Sequence, residues 1–184
     1  MTSRVVESSY ARFKDQKNRF VDALLPAYPD TRLLLNWKDV SLEKPGNWFI
    51  MFAPSVWGNF KEGFSGIHYT FAYYREKMTR QEFVRLSVGV ERPLRNEFKG
   101  KFKMDVVESV RSKRLPLPEF DLWPNAGIRL GAKLLETRLP LNTDTARETL
   151  SRYSRLKEFN RLVAGIIKRY NDEGKFNERL TFPV

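Results

Sequence analysis

The sequence predicts an α+β fold, in which a mainly antiparallel sheet of about four or five strands packs against three helices. The first observation is a pair of β-rich runs, residues 63–74 and 82–91, joined by a polar connection from Arg75 to Gln81. This arrangement is typical of an antiparallel hairpin with a longer loop. The second observation is strict alternation in the later run, which indicates one buried and one solvated face. The buried face carries Val84, Leu86, Val88 and Val90, and the solvated face carries Arg85, Ser87 and Glu91.

A single domain accounts for most of the 184 residues. The hydrophobic content of 41% is enough for a core, and no repeat or second domain is evident. Neighbouring predicted strands are joined by short loops and do not alternate with helices, which favours an antiparallel over a parallel sheet. We therefore predict one α+β domain over residues 1–174, followed by a C-terminal tail, residues 175–184, that has little reason to order by itself.

The first half of the chain predicts one helix and two or more strands. A helix begins near Ser3 and ends at Pro26 and Pro29. Its apolar residues recur at helical spacing: Val6, Tyr10, Phe13, Phe20 and Leu24. Residues 31–39 fit either a strand or a helical turn, and residues 48–53 form an apolar run of strand length that stops at Pro54. The predicted hairpin follows.

The second half predicts two helices separated by strands. Pro93 suits the first turn of a helix whose buried stripe comprises Leu94, Phe98, Phe102, Val106, Val107 and Val110. An extended Leu115-Pro-Leu-Pro linker, a short strand at 120–123 and a last strand over 128–134 come next, and then a loop at Leu139-Pro-Leu-Asn. One final helix begins at Thr143 or Thr145 and ends at Asp172-Glu-Gly.

Several functional classes are disfavoured by composition. The chain has no cysteine, which excludes disulfides and thiolate zinc sites, and one histidine, which excludes multi-histidine metal sites. The first residues lack an apolar signal core, and no run approaches the roughly 20 apolar residues of a membrane span. We expect a soluble cytoplasmic protein that has no membrane partner.

Positive charge is the strongest functional signal. Lys and Arg total 33 against 22 Asp and Glu, a formal net charge of +11 spread along the chain. A folded basic domain attracts polyanions, of which nucleic acid is the commonest, although such charge can also serve only solubility. The predicted phosphate-binding residues are Arg95, Lys99, Lys101, Lys103, Arg111, Lys113 and Arg114, with Lys61 and Arg85.

Aromatic side chains near Gly and Pro predict a possible base contact. Trp57 and Phe60 occupy a predicted loop close to Lys61 and His68. Aromatic rings beside cations can stack on nucleobases, flipped or modified bases included. We therefore predict Trp57, Phe60 and His68 as base-stacking residues. Two alternatives stay open: Trp57 packs onto the core, and His68 is a hydrogen-bonded structural group.

Acidic clusters give a weaker indication of a nuclease. Asp39 with Glu43 and Lys44, or Glu91 with Asp105 and Glu108, supply the residue types of two-metal chemistry. Charged residues make up 30% of the chain, so ordinary surface pairs explain such groups better. We predict no catalytic residue, metal or cofactor, and the oligomeric state is left open.

One resemblance adds a context. The aromatic first helix (Tyr10, Phe13, Phe20), the turn from Gly63 to Tyr69, the strand from Val84 to Glu91 and the helix after it resemble an uncharacterised prokaryotic domain family found beside restriction-type nuclease or methylation-linked modules. The resemblance covers residues 10–170. It departs after Val110, where Ser112-Lys-Arg-Leu-Pro-Leu-Pro replaces an acidic, tryptophan-containing segment. It implies a restriction, defence or DNA-processing context and carries over no catalytic residue.

Together these observations predict a basic nucleic-acid-binding module, with DNA the expected ligand and no chemistry of its own. Two alternatives stay open. One is a metal-dependent nuclease that uses the acidic residues named above. The other is a protein-interaction subunit of a larger assembly.

Overall fold

A computed structural model describes residues 2–36, 48–58, 66–76, 78–90, 94–123 and 133–182. Within these ranges the chain forms an α+β fold of one six-stranded antiparallel sheet and four helices, which confirms the predicted class. The sheet has one strand more than predicted, and there is one additional helix. None of the described helices is both long enough and apolar enough to cross a lipid bilayer.

The elements follow one another with short connections. The first half contains α1 (Thr2–Ala27), β1 (Thr31–Asn36), β2 (Phe49–Pro54), a 3₁₀ turn (Ser55–Trp57), β3 (Ile67–Arg75) and β4 (Glu82–Val90). The second half contains α2 (Asn96–Ser112), β5 (Asp121–Leu122), β6 (Lys133–Pro140), α3 (Thr145–Ser154) and α4 (Lys157–Asp172).

The predicted hairpin lies at the centre of the sheet, whose strand order is β1-β2-β3-β4-β6-β5. β3 and β4 pair in register from Ile67 opposite Val90 to Arg75 opposite Glu82. The N–H of Glu76 donates to the carbonyl of Gln81 at 2.9 Å and closes the connecting loop. The hairpin therefore forms where the alternating pattern predicted it.

All four helices lie on one face of the sheet. Phe71 of β3 stacks on Phe20 of α1 with ring centroids 4.8 Å apart. Tyr153 of α3 packs edge-on against Phe52 and Tyr69. α1 packs beside α3, and α2 packs beside α4. The buried aromatic and branched side chains of this face form the core, whose burial stabilises the fold.

The second face of the sheet is only partly solvated, which corrects the prediction of a wet face. Tyr74 and Arg138 are exposed, but Ser87 is buried. Ser87 is the cross-strand partner of Glu136, on which the long side chains of Arg85, Lys133 and Arg138 converge. These side chains take the place of a packed helix over this part of the sheet.

The predicted last strand and last helix were wrong in their limits. β6 begins at Lys133 and continues to Pro140, through the predicted loop, and residues 128–132 lie outside the described residues. The single predicted helix is two, because the N–H of Leu156 bonds to the carbonyl of Tyr153, three residues back, at 3.0 Å. This tight turn carries no Gly or Pro to mark it in the sequence.

The predicted disordered tail is also wrong for residues 175–182, which pack against α2 and α4. Phe176 forms an isolated bridge with Leu94, and both Phe176 and Leu180 are buried. The N–H of Leu180 donates to Oδ1 of Asn171 at 2.6 Å. Burial of these two apolar side chains provides the ordering energy that the sequence pattern did not reveal.

Candidate nucleic-acid interface

The buried stripe of α2 is as predicted, so the helix has the expected orientation. Phe102, Val106, Val107 and Val110 are buried. Lys103 lies at the edge of this stripe, 7% exposed, with its Nζ 5.6 Å from the ring centroid of Trp123. Burial lowers the pKa of Lys103, and the nearby ammonium of Lys99 lowers it further. Lys103 therefore cannot bind a phosphate on the outer surface of the helix.

The exposed middle of α2 has mixed charge. Lys101 shares this surface with Glu97, Glu108 and the half-buried Asp105. Arg95, just before the helix, lines a shallow pocket that also contains Asp172 and Glu178. The predicted cations of α2 thus do not form one continuous basic face, because carboxylates are interleaved with them.

The C-terminal end of α2 is different. Arg111, Lys113 and Arg114 are all exposed, and Lys113 lies beside cations of α4. A groove separates the two helices here. Its lining residues are Ser109, Lys113, Arg161, Leu162, Gly165, Ile166 and Arg169. We call this the α2–α4 groove.

The α4 cations are residues that the sequence reading missed. It considered only the buried side of the last helix. Lys157, Arg161 and Lys168 recur at spacings of four and seven residues, which places them on one exposed stripe of α4. That spacing was available in the sequence and could have predicted the second wall of the groove.

Only some of these cations are paired. Arg169 binds Asp105 across the helix contact, and the Tyr170 hydroxyl donates to the same carboxylate at 2.9 Å. Arg161 binds Glu158 within α4 at 2.7 Å. Over the described ranges, no carboxylate lies within 4.0 Å of the remaining four cations, Arg111, Lys113, Arg114 and Lys168.

Arg114 adopts a left-handed backbone conformation at the end of α2, with φ of 50°. The N–H of Leu115 bonds back to the carbonyl of Val110 at 3.1 Å, which closes a Schellman-type C-cap. α4 ends in the same way, but with Gly174 at the left-handed position. A residue with a Cβ there costs roughly 1–2 kcal/mol relative to glycine.

Trp57 does not present its ring at the surface. The side chain is 0% exposed, and the indole stacks on Tyr69 with centroids 5.1 Å apart. Its Nε1–H donates to the main-chain carbonyl of Asn160 in α4 at 3.0 Å. The predicted base-stacking role is therefore wrong for this conformation, and the alternative of core packing describes the residue.

His68 is likewise enclosed. It is 1% exposed, and its ring lies against Gly89 on the neighbouring strand. Burial lowers the pKa of His68 to about 4, with a backbone hydrogen bond to Gly66 acting weakly in the opposite direction. A neutral, buried imidazole cannot stack on a base. Phe60 and Lys61 lie outside the described residues.

Arg85 also does not join the α2–α4 groove. It projects from the second face of the sheet, where its guanidinium lies 4.3 Å from the ring centroid of Tyr74. Its Nη1 is 3.8 Å from Oε2 of Glu136. Arg85 thus belongs to a separate cluster of charges.

The acidic groups considered for metal binding find limited expression in the described ranges. There, no three histidine or carboxylate side chains are grouped to hold a metal ion. Asp105 is bound by Arg169 and Tyr170, and Glu108 is exposed. Asp39, Glu43, Lys44 and Glu91 lie outside the described residues.

The fold and this surface define an α+β domain with a cationic groove between two helices on the helical side of its sheet. No protein-family profile, curated protein or solved structure matches the chain.

Proposed function

We propose that the protein binds the phosphate backbone of nucleic acid along the α2–α4 groove. The observation that carries the proposal is the meeting of two sets of exposed cations at one groove. Arg111, Lys113 and Arg114 come from the end of α2, and Arg161 and Lys168 come from α4. Such a juxtaposition raises the local positive potential and attracts a polyanion.

The floor of the groove suits a close approach by a backbone. Gly165 has no side chain, and a Cβ placed there would have nothing within 4 Å. Phosphates could therefore approach the helix surface between the two rows of cations. The ion pair of Arg161 with Glu158 is exposed, and exposed pairs of this kind are worth about 0–1 kcal/mol, so Arg161 can exchange its partner for a phosphate at little cost.

Arg114 supports the same assignment. The left-handed position at the end of α2 favours glycine, yet it carries a cation that points into the basic region of the surface sequence Arg111–Arg114. Strained residues of this kind often coincide with functional surfaces. Because the predicted stacking residues Trp57 and His68 are buried, we propose contact with phosphates and not with bases, and hence binding with little sequence preference.

The test is fluorescence anisotropy with labelled single-stranded DNA, double-stranded DNA and single-stranded RNA of equal length. The double variant Lys113→Glu/Arg161→Glu should weaken binding by at least about tenfold, since two phosphate contacts are replaced by repulsion. The matched control is Lys14→Glu/Arg147→Glu, which has the same change in net charge. Lys14 has no ion pair in the described ranges, like Lys113, and Arg147 pairs with Asp144 three residues earlier, as Arg161 does with Glu158.

The control separates a local groove from a general effect of charge. If both double variants lose affinity equally, binding reflects only the net charge of +11 and the proposed groove is wrong. If the unmodified protein binds none of the three nucleic acids at low salt, the proposal fails altogether. Circular dichroism of all variants verifies that they are folded, because Lys113 lies at a helix C-terminus that favours cations.

A further inference from the structure

Three cations surround one carboxylate on the second face of the sheet. Oε1 of Glu136 accepts a hydrogen bond from Nε of Arg138 at 2.9 Å. Its Oε2 accepts from Nζ of Lys133 at 3.2 Å and lies 3.8 Å from Nη1 of Arg85. The Glu136 side chain is 5% exposed. We call these four residues the Glu136 cluster.

Strand register brings the cluster together. Arg85 lies opposite Arg138, Ser87 opposite Glu136 and Gly89 opposite Lys133 on the paired strands β4 and β6. Side chains alternate along a strand, so all four charged groups project from the same face, away from the helices. The cluster is thus on the other side of the sheet from the α2–α4 groove and does not depend on the function proposed for that groove.

Aromatic rings hold the two guanidinium groups in place. Arg85 lies 4.3 Å from the ring centroid of Tyr74, and Arg138 lies 5.4 Å from that of Phe83. Tyr74 and Phe83 are cross-strand partners whose rings stack with centroids 5.4 Å apart. Cation–π contacts of this kind restrict the rotation of an arginine side chain, so both donors are oriented before any ligand arrives.

The charges within the cluster do not balance. Three cations face one carboxylate, which leaves an excess of two positive charges. Asp121 lies opposite Glu136 on β5 and is exposed, with no ion pair in the described part of the chain, and counting it leaves an excess of one. One carboxylate has roughly four lone-pair directions, far fewer than the N–H groups of two arginines and a lysine.

One donor is already unsatisfied. Nε of Arg85 is buried and has no hydrogen-bond partner among the described residues. A buried donor without a partner is unfavourable, and a charged one more so. A second anion above the cluster would supply acceptors to the remaining N–H groups and reduce the repulsion between the three cations.

We propose that the Glu136 cluster binds a phosphate monoester or inorganic phosphate, in its doubly charged form. Arg85 and Arg138 offer forked donors that match two phosphate oxygens, and Lys133 supplies a point charge. Glu136 acts as a positioning residue that draws the three cations to one place. The exposure of Arg138 and Tyr74 leaves the cluster open to solvent on one side.

The first experiment is isothermal titration calorimetry with inorganic phosphate, compared with potassium chloride at matched ionic strength. The pH is set about one unit above 6, so that phosphate is mainly the dianion. Arg138→Gln should weaken phosphate binding by about tenfold or more, because a charge-assisted pair is lost. Arg19→Gln is the matched control, since Arg19 is exposed and pairs with a carboxylate, Asp15, on α1. Absence of saturable phosphate binding, or equal losses in the two variants, overturns the proposal.

A second variant tests the sign of the effect. Glu136→Gln keeps an acceptor oxygen and removes a negative charge, so phosphate should bind several-fold more tightly than to the unmodified protein. If Glu136 only needs its three cations for its own burial, the variant gains no affinity, and the proposal is wrong. Asp121→Asn provides the same test on an exposed residue, where folding is not at risk.

The source of the phosphate is distinguished with oligonucleotides in the Lys113→Glu/Arg161→Glu background. Competition between inorganic phosphate and a 5′-phosphorylated strand, but not a 5′-hydroxyl strand, assigns the cluster to a strand end. Binding of inorganic phosphate without such competition assigns it to a free phosphate compound. Failure of both contradicts the site, while leaving the α2–α4 groove untouched.

Discussion

The ring of His68 packs directly over Gly89, its cross-strand partner on β4. A Cβ placed on Gly89 would stand 3.0 Å from both Cε1 and Nε2 of His68. Gly89 is thus the space that the buried imidazole occupies, and these two residues fix each other within the central hairpin.

Gly89→Ala should therefore destabilise the fold. Overpacking of a buried site costs about 1–3 kcal/mol, and denaturant unfolding measures it. Gly100→Ala is the matched control, because a Cβ at that helical position meets nothing within 4 Å. It should stabilise the protein by up to about 1 kcal/mol. Equal effects of the two substitutions would contradict the packing of His68 on Gly89.

His68 should also make stability depend on pH. Its pKa is about 4 in the folded protein, lowered by burial, against 6.5 for an ordinary histidine. Between these values the unfolded chain binds more protons, so stability is lost as the pH falls from 6.5 towards 4. The loss amounts to about 3 kcal/mol at order of magnitude. His68→Leu should flatten this part of the profile, measured by urea unfolding, and an unchanged slope would argue against a neutral buried imidazole.

Arg114→Gly should separate stability from binding. Glycine relieves the left-handed backbone at the end of α2 and should leave the protein equally stable or up to about 1 kcal/mol more stable. The same change removes a cation from the proposed interface, so the salt dependence of nucleic-acid binding should weaken by about 0.9 log units per tenfold salt. Thermal unfolding and anisotropy give the two readouts. A variant that binds as the unmodified protein does would exclude Arg114 from the interface.

Trp57→Phe should affect the fold and not the ligand. The change removes the Nε1–H bond to Asn160 and part of the stack on Tyr69, and a loss of about 1–2 kcal/mol in unfolding free energy is expected. Nucleic-acid affinity of the folded variant should not change. A specific loss of affinity at unchanged stability would restore the role of base stacking that the sequence suggested.

Residues with a strong local pattern were predictable. Alternation in Val84–Val90 and the four-residue spacing from Phe98 to Val110 depend only on which side of an element is buried, and both elements formed as expected. The turn at Leu156 and the packing of Phe176 and Leu180 were not predictable, because they result from contacts with distant residues.

The candidate site was only half accessible to sequence reasoning. Lys103 and Lys99 counted as surface cations, but the helix turns them towards its buried edge. Trp57 lies in a turn-rich segment that resembled a surface loop, yet the carbonyl of Asn160, 103 residues later, receives its N–H. Side chains brought together from α2 and α4 define the groove, and no single segment contains both.

The salt dependence of DNA binding tests the central claim most directly. If five cations of the α2–α4 groove each neutralise one phosphate, log K against log salt should have a slope of about −4.5, a loss of about 500-fold between 50 and 200 mM salt. The Lys113→Glu/Arg161→Glu variant should show a slope near −2.7 under the same relation. A flat response in the unmodified protein, or an identical slope in the variant, would contradict binding through this groove.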